Sequence, residues 1–396
     1  MLRRTLFSRL NIILIIFKIN LFLVYPSLIH SQNSLRIGLE KTNDYLSQIN
    51  NKKVGLVSNH TSKFFLKNKS IHFVDSLIKH GVEIDKIFAP EHGFRGELDA
   101  GEKITNSIDS KTGIELISLY GKKRKPSESD LANIDIMIFD IQDVGARFYT
   151  YLSTLHYVME SCAENNIKLL VLDRPNPNGH YIDGPVMEKE SMSFVGLHPV
   201  PIVYGMTIGE YAKMINGEGW LKNGIKCDLE VIRMDNYYRD VKYELKEKPS
   251  PNLPNSKSIN LYPSLCFFEQ TPISVGRGTN LQFQIIGLPT WKKTNFSFTP
   301  KSMPGAKTPK HQNKKCYGFN LTTEKHLSKV SLEWLILAYK KSENKDDFFR
   351  SYFFRLAGNK TLEKQIKLGI SEKEIRKTWI PGLNEFKKVR KKYLIY

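Results

Sequence analysis

Residues 135–149, DIMIFDIQDVGARFY, decide the fold. Asp135 to Ile141 reads as a strand buried on both faces, its centre Ile136 to Phe139 an unbroken apolar run with no polar alternation. From Asp140 onward the chain turns polar. A helical pattern then runs from about Phe148 to Asn165, with Leu152, Leu155, Val158, Met159 and Cys162 at helical spacing. A buried strand feeding an amphipathic helix is the repeating unit of a parallel sheet covered on both sides.

The same unit recurs on either side. Lys53–Ser58, Ile84–Ala89 and Ile114–Leu119 read as strands upstream, and Lys168–Leu172, Val200–Tyr204 and Leu229–Met234 downstream. Ser70 is expected to cap a helix carrying Ile71, Val74, Leu77 and Ile78 and closing at Gly81. A further helix is expected near Thr207–Asn216. The alternation fades after residue 240, where Pro249, Pro251, Pro254 and Pro263 mark a loop or linker, and the polar stretch Trp291–Lys315 reads as a mobile loop. The expectation is an α/β protein: a Rossmann-like, mostly parallel sheet domain over 33–240, with a second, smaller α+β domain over 241–396 closing a cleft. No Gly-x-Gly-x-x-Gly follows the first strand and no Walker loop occurs, which argues against a dehydrogenase or a kinase.

Arg3, Arg4 and Arg9 precede an apolar run from Leu10 to Leu28, and Ile29-His30-Ser31-Gln32 follows. Basic, apolar, then small is the layout of a secretory signal over 1–31, so the protein is expected to be exported, to the periplasm or medium, without stable membrane insertion after cleavage. The four cysteines show no CxxC spacing and suggest neither a zinc ribbon nor a disulfide framework. The formal net charge of +19 would attract any polyanion. For an exported protein the expected partner is an anionic envelope glycan rather than nucleic acid, and a lysine-coated surface accounts for the charge equally well.

In open parallel sheets ligands sit outside the carboxyl ends of the strands. Here those ends carry Asn59-His60-Thr61, then Glu91-His92-Gly93, then Asp140, Gln142, Asp143, Gly145, Arg147 and Tyr149, then Asp173-Arg174 with Asn176. Several of these admit a structural reading: Asn59, His60 and Thr61 as a turn or helix cap, Asp173 with Arg174 as an ion pair, Asp140 as an anchor for a neighbouring loop. Asp143 and Arg147, one turn apart, read equally as function or as structure. Glu91, at a strand end beside His92 and two glycines, favours function. His60, Glu91, His92, Asp143 and Asp173 lack HxH, HExxH or DxD spacing, so no metal is expected, and no Gly-x-Ser-x-Gly elbow occurs. Carboxylates among aromatics and amides suit sugars: rings stack on aromatic faces, and a carboxylic acid can protonate a leaving oxygen.

The runs GLVSNHTS, FAPEHGFRGELDAGE, FDIQDVGARFYTYLSTL, VLDRPNPNG, PSPNLP, YPSLCFFEQTPISVGRGT and the closing YLIY resemble the exo-β-N-acetylmuramidase family of bacterial envelopes, in order from about residue 36 to the C-terminus. The resemblance implies two domains with the active site between them, and release of N-acetylmuramic acid from the non-reducing ends of peptidoglycan-derived muropeptides or disaccharides, without a cofactor. It implies Glu91 as the main catalytic carboxylate with His92 and Asp143 beside it. Asn59, His60, Arg147, Tyr149, Asp173 and Arg174 would line the sugar pocket, with Asn252, Glu269, Arg277 and Thr279 from the second domain. Many relatives carry Arg-His where this chain has Val203-Tyr204, and Gly where it has Gln270.

Overall fold

The computed structural model describes residues 34–396 apart from 68, 92, 96–106 and 292–293. The signal-like segment and His92 therefore lie outside the described residues. In chain order the larger sheet and its helices comprise α1 (Thr42–Ile49), β1 (Lys53–Ser58), β2 (Lys63–Leu66), β3 (Lys69–His72), α2 (Phe73–Lys79), β4 (Glu83–Ala89), β5 (Ser107–Ile108), β6 (Glu115–Ser118), α3 (Glu128–Leu131), β7 (Ile136–Asp140), α4 (Tyr151–Glu164), β8 (Lys168–Leu172), α5 (Ile208–Gly217) and β9 (Leu229–Ile232). The sheet has seven strands in the order β5-β6-β4-β1-β7-β8-β9. Every pairing in it is parallel except the edge pair β5–β6. Leu56 and Val57 on β1, and Ile136 to Phe139 on β7, are fully buried. That two-sided burial is why these strands are apolar without alternation.

The smaller part is an antiparallel sheet, β10 (Ile285–Leu288), β11 (Phe296–Phe298) and β12 (Cys316–Asn320) in the order β10-β12-β11, with α6 (Ser256–Leu265), α7 (Glu333–Lys341), α8 (Phe353–Ala357), α9 (Thr361–Lys367) and α10 (Glu372–Lys391). Arg36–Tyr396 packs as one compact unit. Buried side chains from both sheets, such as Val171 and Ile286, belong to one continuous hydrophobic core. No helix of the described residues is long and apolar enough to cross a membrane.

Three expectations change. The helix expected from Ser70 starts at Phe73 and is capped by His72, because Lys69–His72 pairs with Lys63–Leu66 as a hairpin. Val200–Tyr204 is not a sheet strand; Val203 makes only isolated bridges to Ala146 and Asp183. The stretch read as a mobile loop contains β11, paired to β12.

Candidate active site

The loops after β1, β4, β7 and β8 meet at the carboxyl edge of the larger sheet. After β1, Asn59 is fully buried and makes a tight side-chain turn: its Oδ1 accepts from the Thr61 amide at 2.9 Å and the Thr61 hydroxyl at 2.6 Å. Its Nδ2 donates to the Tyr151 hydroxyl at 2.9 Å. Tyr151 in turn donates to the backbone carbonyl of Glu91 at 3.3 Å. Asn59 thus acts as a turn former and also reaches the Glu91 loop. His60 is buried and its Nε2 lies 2.8 Å from the Lys248 carbonyl.

Glu91 follows β4 in a turn closed by the Gly93 amide donating to the Pro90 carbonyl at 3.0 Å, with Gly93 at φ 75°. The Glu91 side chain is half-buried. Its Oε2 accepts from the Thr150 hydroxyl at 2.7 Å. The Tyr120 hydroxyl hydrogen-bonds the same carboxylate; burial first, then the charge of Glu91, pushes the Tyr120 pKa up. Thr150 precedes α4, so a helix start and the β6–α3 loop together hold this acid.

After β7, Asp143 is buried, and its Oδ2 accepts from the Gly145 amide at 2.7 Å and from the Tyr204 hydroxyl. Oδ1 is buried with no well-aligned hydrogen bond among the described residues. Burial raises its pKa to about 6, although Tyr204 and the backbone amides pull the other way. Tyr149 donates to the Pro249 carbonyl at 2.7 Å. His60 and Tyr149 thereby lay the 248–249 stretch of the proline-rich segment over the sheet edge, so that segment is docked chain.

Arg147, Asp173 and Arg174 are placed in the interior. Arg147 is 1% exposed and its guanidinium donates to four carbonyls, those of Pro185, Val200, Leu356 and Ala357, at 2.7–3.0 Å. Burial lowers its pKa to about 9. Asp173 accepts from the Arg174 and Gly209 amides, the Thr207 hydroxyl and the Tyr396 hydroxyl, and burial raises its pKa to about 6. Arg174 grips both oxygens of Asp140, at 2.6 and 2.8 Å. The buried ion pair is therefore Arg174 with Asp140, not with Asp173.

The second region reaches the same loops through an aromatic run. Tyr149 contacts Tyr151 edge-on with ring centroids 4.8 Å apart and Tyr262 of α6 at 6.1 Å; Tyr262 contacts Phe283 at 5.0 Å. The Arg277 guanidinium lies over Phe283, 5.2 Å from the ring centre. Arg277 Nε donates to Glu269 Oε1 at 3.1 Å. Burial acts to raise the Glu269 pKa, but Arg277, Lys310 and Arg350 outweigh it and hold it below the usual value. The Thr279 hydroxyl closes the Gly276 turn by donating to its carbonyl at 2.7 Å. Asn252 is buried and donates to the Gly305 carbonyl at 2.7 Å. Of the residues singled out from sequence, Glu91, Asn59, Tyr149, Glu269 and Arg277 are joined by this chain of contacts.

Sequence reasoning passed over Thr150, Tyr120, Tyr262 and Lys310. Tyr120 stood in plain view in SLYG, directly after a strand end, and Thr150 beside Tyr149. Lys310 lay inside the segment read as a loop. Its Nζ donates to the carbonyls of Phe268, Glu269 and Thr271 at 2.7–3.1 Å, and burial lowers its pKa to about 8.

A half-buried acid held at the edge of a parallel sheet among aromatic rings and amides suits a glycoside hydrolase. The chain matches the N-terminal domain of the exo-β-N-acetylmuramidase NamZ family over residues 54–257 and its C-terminal domain over 260–396. It belongs to that family. It is 40% identical over 375 residues to the peptidoglycan β-N-acetylmuramidase NamZ of Bacillus subtilis, covering 89% of each chain. Two crystal structures of DUF1343 family proteins from Bacteroides fragilis share the fold. One has a TM-score of 0.84 at 45% identity, covering 92% of this chain and 99% of the other; the second has 0.78 at 28%, covering 91% and 99%.

Proposed function

We propose that the protein removes N-acetylmuramic acid from the non-reducing ends of peptidoglycan fragments outside the cytoplasm, with Glu91 as the acid that protonates the glycosidic oxygen. The observation that carries this reading is the setting of Glu91: two hydroxyl groups, from Thr150 and Tyr120, hold its carboxylate while the side chain stays half-exposed. Asp173, by contrast, is fully enclosed and has all its partners within the protein. The name of the Bacillus subtilis relative supports the substrate class. Tyr149, Tyr151 and Tyr262 are buried and pack edge-on behind the acid, joining the sheet edge to the second region.

Turnover of a chromogenic β-glycoside of N-acetylmuramic acid, beside the N-acetylglucosamine analogue, tests the proposal. Glu91→Gln keeps an acceptor for Thr150 but has no proton to give. It is expected to lower kcat on the order of 10²–10⁴-fold with unchanged melting. A folded wild-type protein that binds the sugar and cleaves neither glycoside would make it a glycan-binding module instead.

A further inference from the structure

N-acetylmuramic acid differs from N-acetylglucosamine by a lactyl ether that ends in a carboxylate. A cation suits that group in an enzyme that selects the first sugar, and Arg95, Arg124, Arg147, Arg174, Arg277 and Arg350 are the six candidates. Arg95 spends Nε and Nη2 on Asp109, at 2.8 and 2.7 Å. Arg147 spends both Nη groups on buried carbonyls, and Arg174 is locked on Asp140. Arg124, over the Phe194 ring at 4.4 Å from its centre, and Arg350, which faces Glu269, are both exposed, where solvent weakens any pairing.

Arg277 is partly shielded and only partly spent. It uses only Nε, in the single bond to Glu269, and its two Nη groups have no hydrogen-bond partner among the described residues. Its side chain is 26% exposed, so the fork is reachable yet mostly shielded from water. Phe283 beneath it and the turn through Gly276 and Gly278, at φ 79° and 81°, fix its direction. Around Glu269 three cations, Arg277, Lys310 and Arg350, face one carboxylate. Lys310 is turned inward onto carbonyls. The surplus positive charge is left to an acidic ligand, and Arg277 holds the paired donors that match a carboxylate.

We propose that Arg277 is the specificity residue of this site, its two free Nη groups receiving the lactyl carboxylate of the terminal sugar while Glu269 holds the fork in place. This rests on the muramidase reading and names the group that enforces it.

The test compares chromogenic β-glycosides of N-acetylmuramic acid and of its lactyl methyl ester, in wild type, R277Q, R277K and R124Q, with calorimetric titration of free N-acetylmuramic acid. Wild type is expected to favour the acid over the ester. R277Q lowers the acid-to-ester ratio of kcat/KM at least tenfold and weakens binding of the free acid as strongly. R277K, which keeps the charge and loses the fork, recovers part of both; it also serves if R277Q does not fold. R124Q keeps the wild-type ratio. An unchanged ratio in R277Q, or a collapse in R124Q instead, overturns the assignment. Arg277-dependent binding of the acid without turnover of either glycoside by wild type would sink the muramidase reading while this one stands.

Discussion

Asp143 lies in the interior with one oxygen held by Tyr204 and Gly145 and the other without a well-aligned partner among the described residues. Burial lifts its pKa from 3.8 to about 6. A carboxyl whose folded pKa exceeds its unfolded one binds its proton more tightly in the native state. That contribution to stability is present below the unfolded pKa and is lost as pH climbs from about 4 to about 6. The shift corresponds to on the order of 3 kcal/mol. Asp143→Asn cannot ionise, so its melting temperature relative to wild type should move in the variant's favour by several degrees between pH 4.5 and pH 7. Thermal melts at the two pH values check this; a constant difference would mean that Asp143 is ionised throughout. Residue types at strand ends were legible because the parallel topology places those ends on one edge. The fate of Arg147 was not, because the carbonyls it serves lie up to 210 residues away in sequence. A lone arginine near an aspartate looks the same whether it faces a ligand or four peptide groups.

At the level of elements, the loop between β7 and α4 depends on one backbone geometry. Gly145 sits at φ 77°, and a Cβ there would fall 2.0 Å from the Asn176 side-chain oxygen. Asn176 cannot swing aside without losing its bonds to the Met206 carbonyl and the Asn178 amide. Gly145→Ala should therefore cost about 2 kcal/mol or more in urea unfolding, combining left-handed strain with the collision. A cost below about 0.5 kcal/mol would show that the loop yields. Continuous apolar strands such as β1, β7 and β8 were readable from their patterns, since burial on both faces leaves no alternative. The β2–β3 hairpin escaped notice: Ile71 and Val74 at helical spacing imitate an amphipathic face across a strand–helix junction. Val200–Tyr204 looked like a strand because it is buried as deeply as one. It is apolar for packing, without a ladder to join.

On the scale of the whole molecule, α10 returns the chain to the larger sheet. Tyr393 donates to Glu218 at 2.6 Å and its ring covers Gly217, where a Cβ would meet it at 2.2 Å. The Ile395 amide donates to Glu210 at 2.8 Å, and the Tyr396 hydroxyl links Asp173 at 2.9 Å to the Met234 amide at 2.7 Å. Deleting 393–396 leaves Asp173 and Glu210 buried with fewer donors, each such loss costing about 1–3 kcal/mol. Scanning calorimetry should show Tm lowered by more than about 5 °C; a loss under about 2 °C would make the tail an ornament. The closing YLIY carried no periodicity, and nothing in it announced a partner 223 residues upstream.

That tail also sets a clock. β1, β4 and β6 to β9 can all emerge from the ribosome while the hydroxyl that completes the Asp173 cluster has yet to be synthesised. At ~5–20 residues per second, the sheet's parallel strands precede that hydroxyl by on the order of ten seconds. During synthesis the chain thus passes through a period in which every parallel strand has been made and the native Asp173 cluster is out of reach.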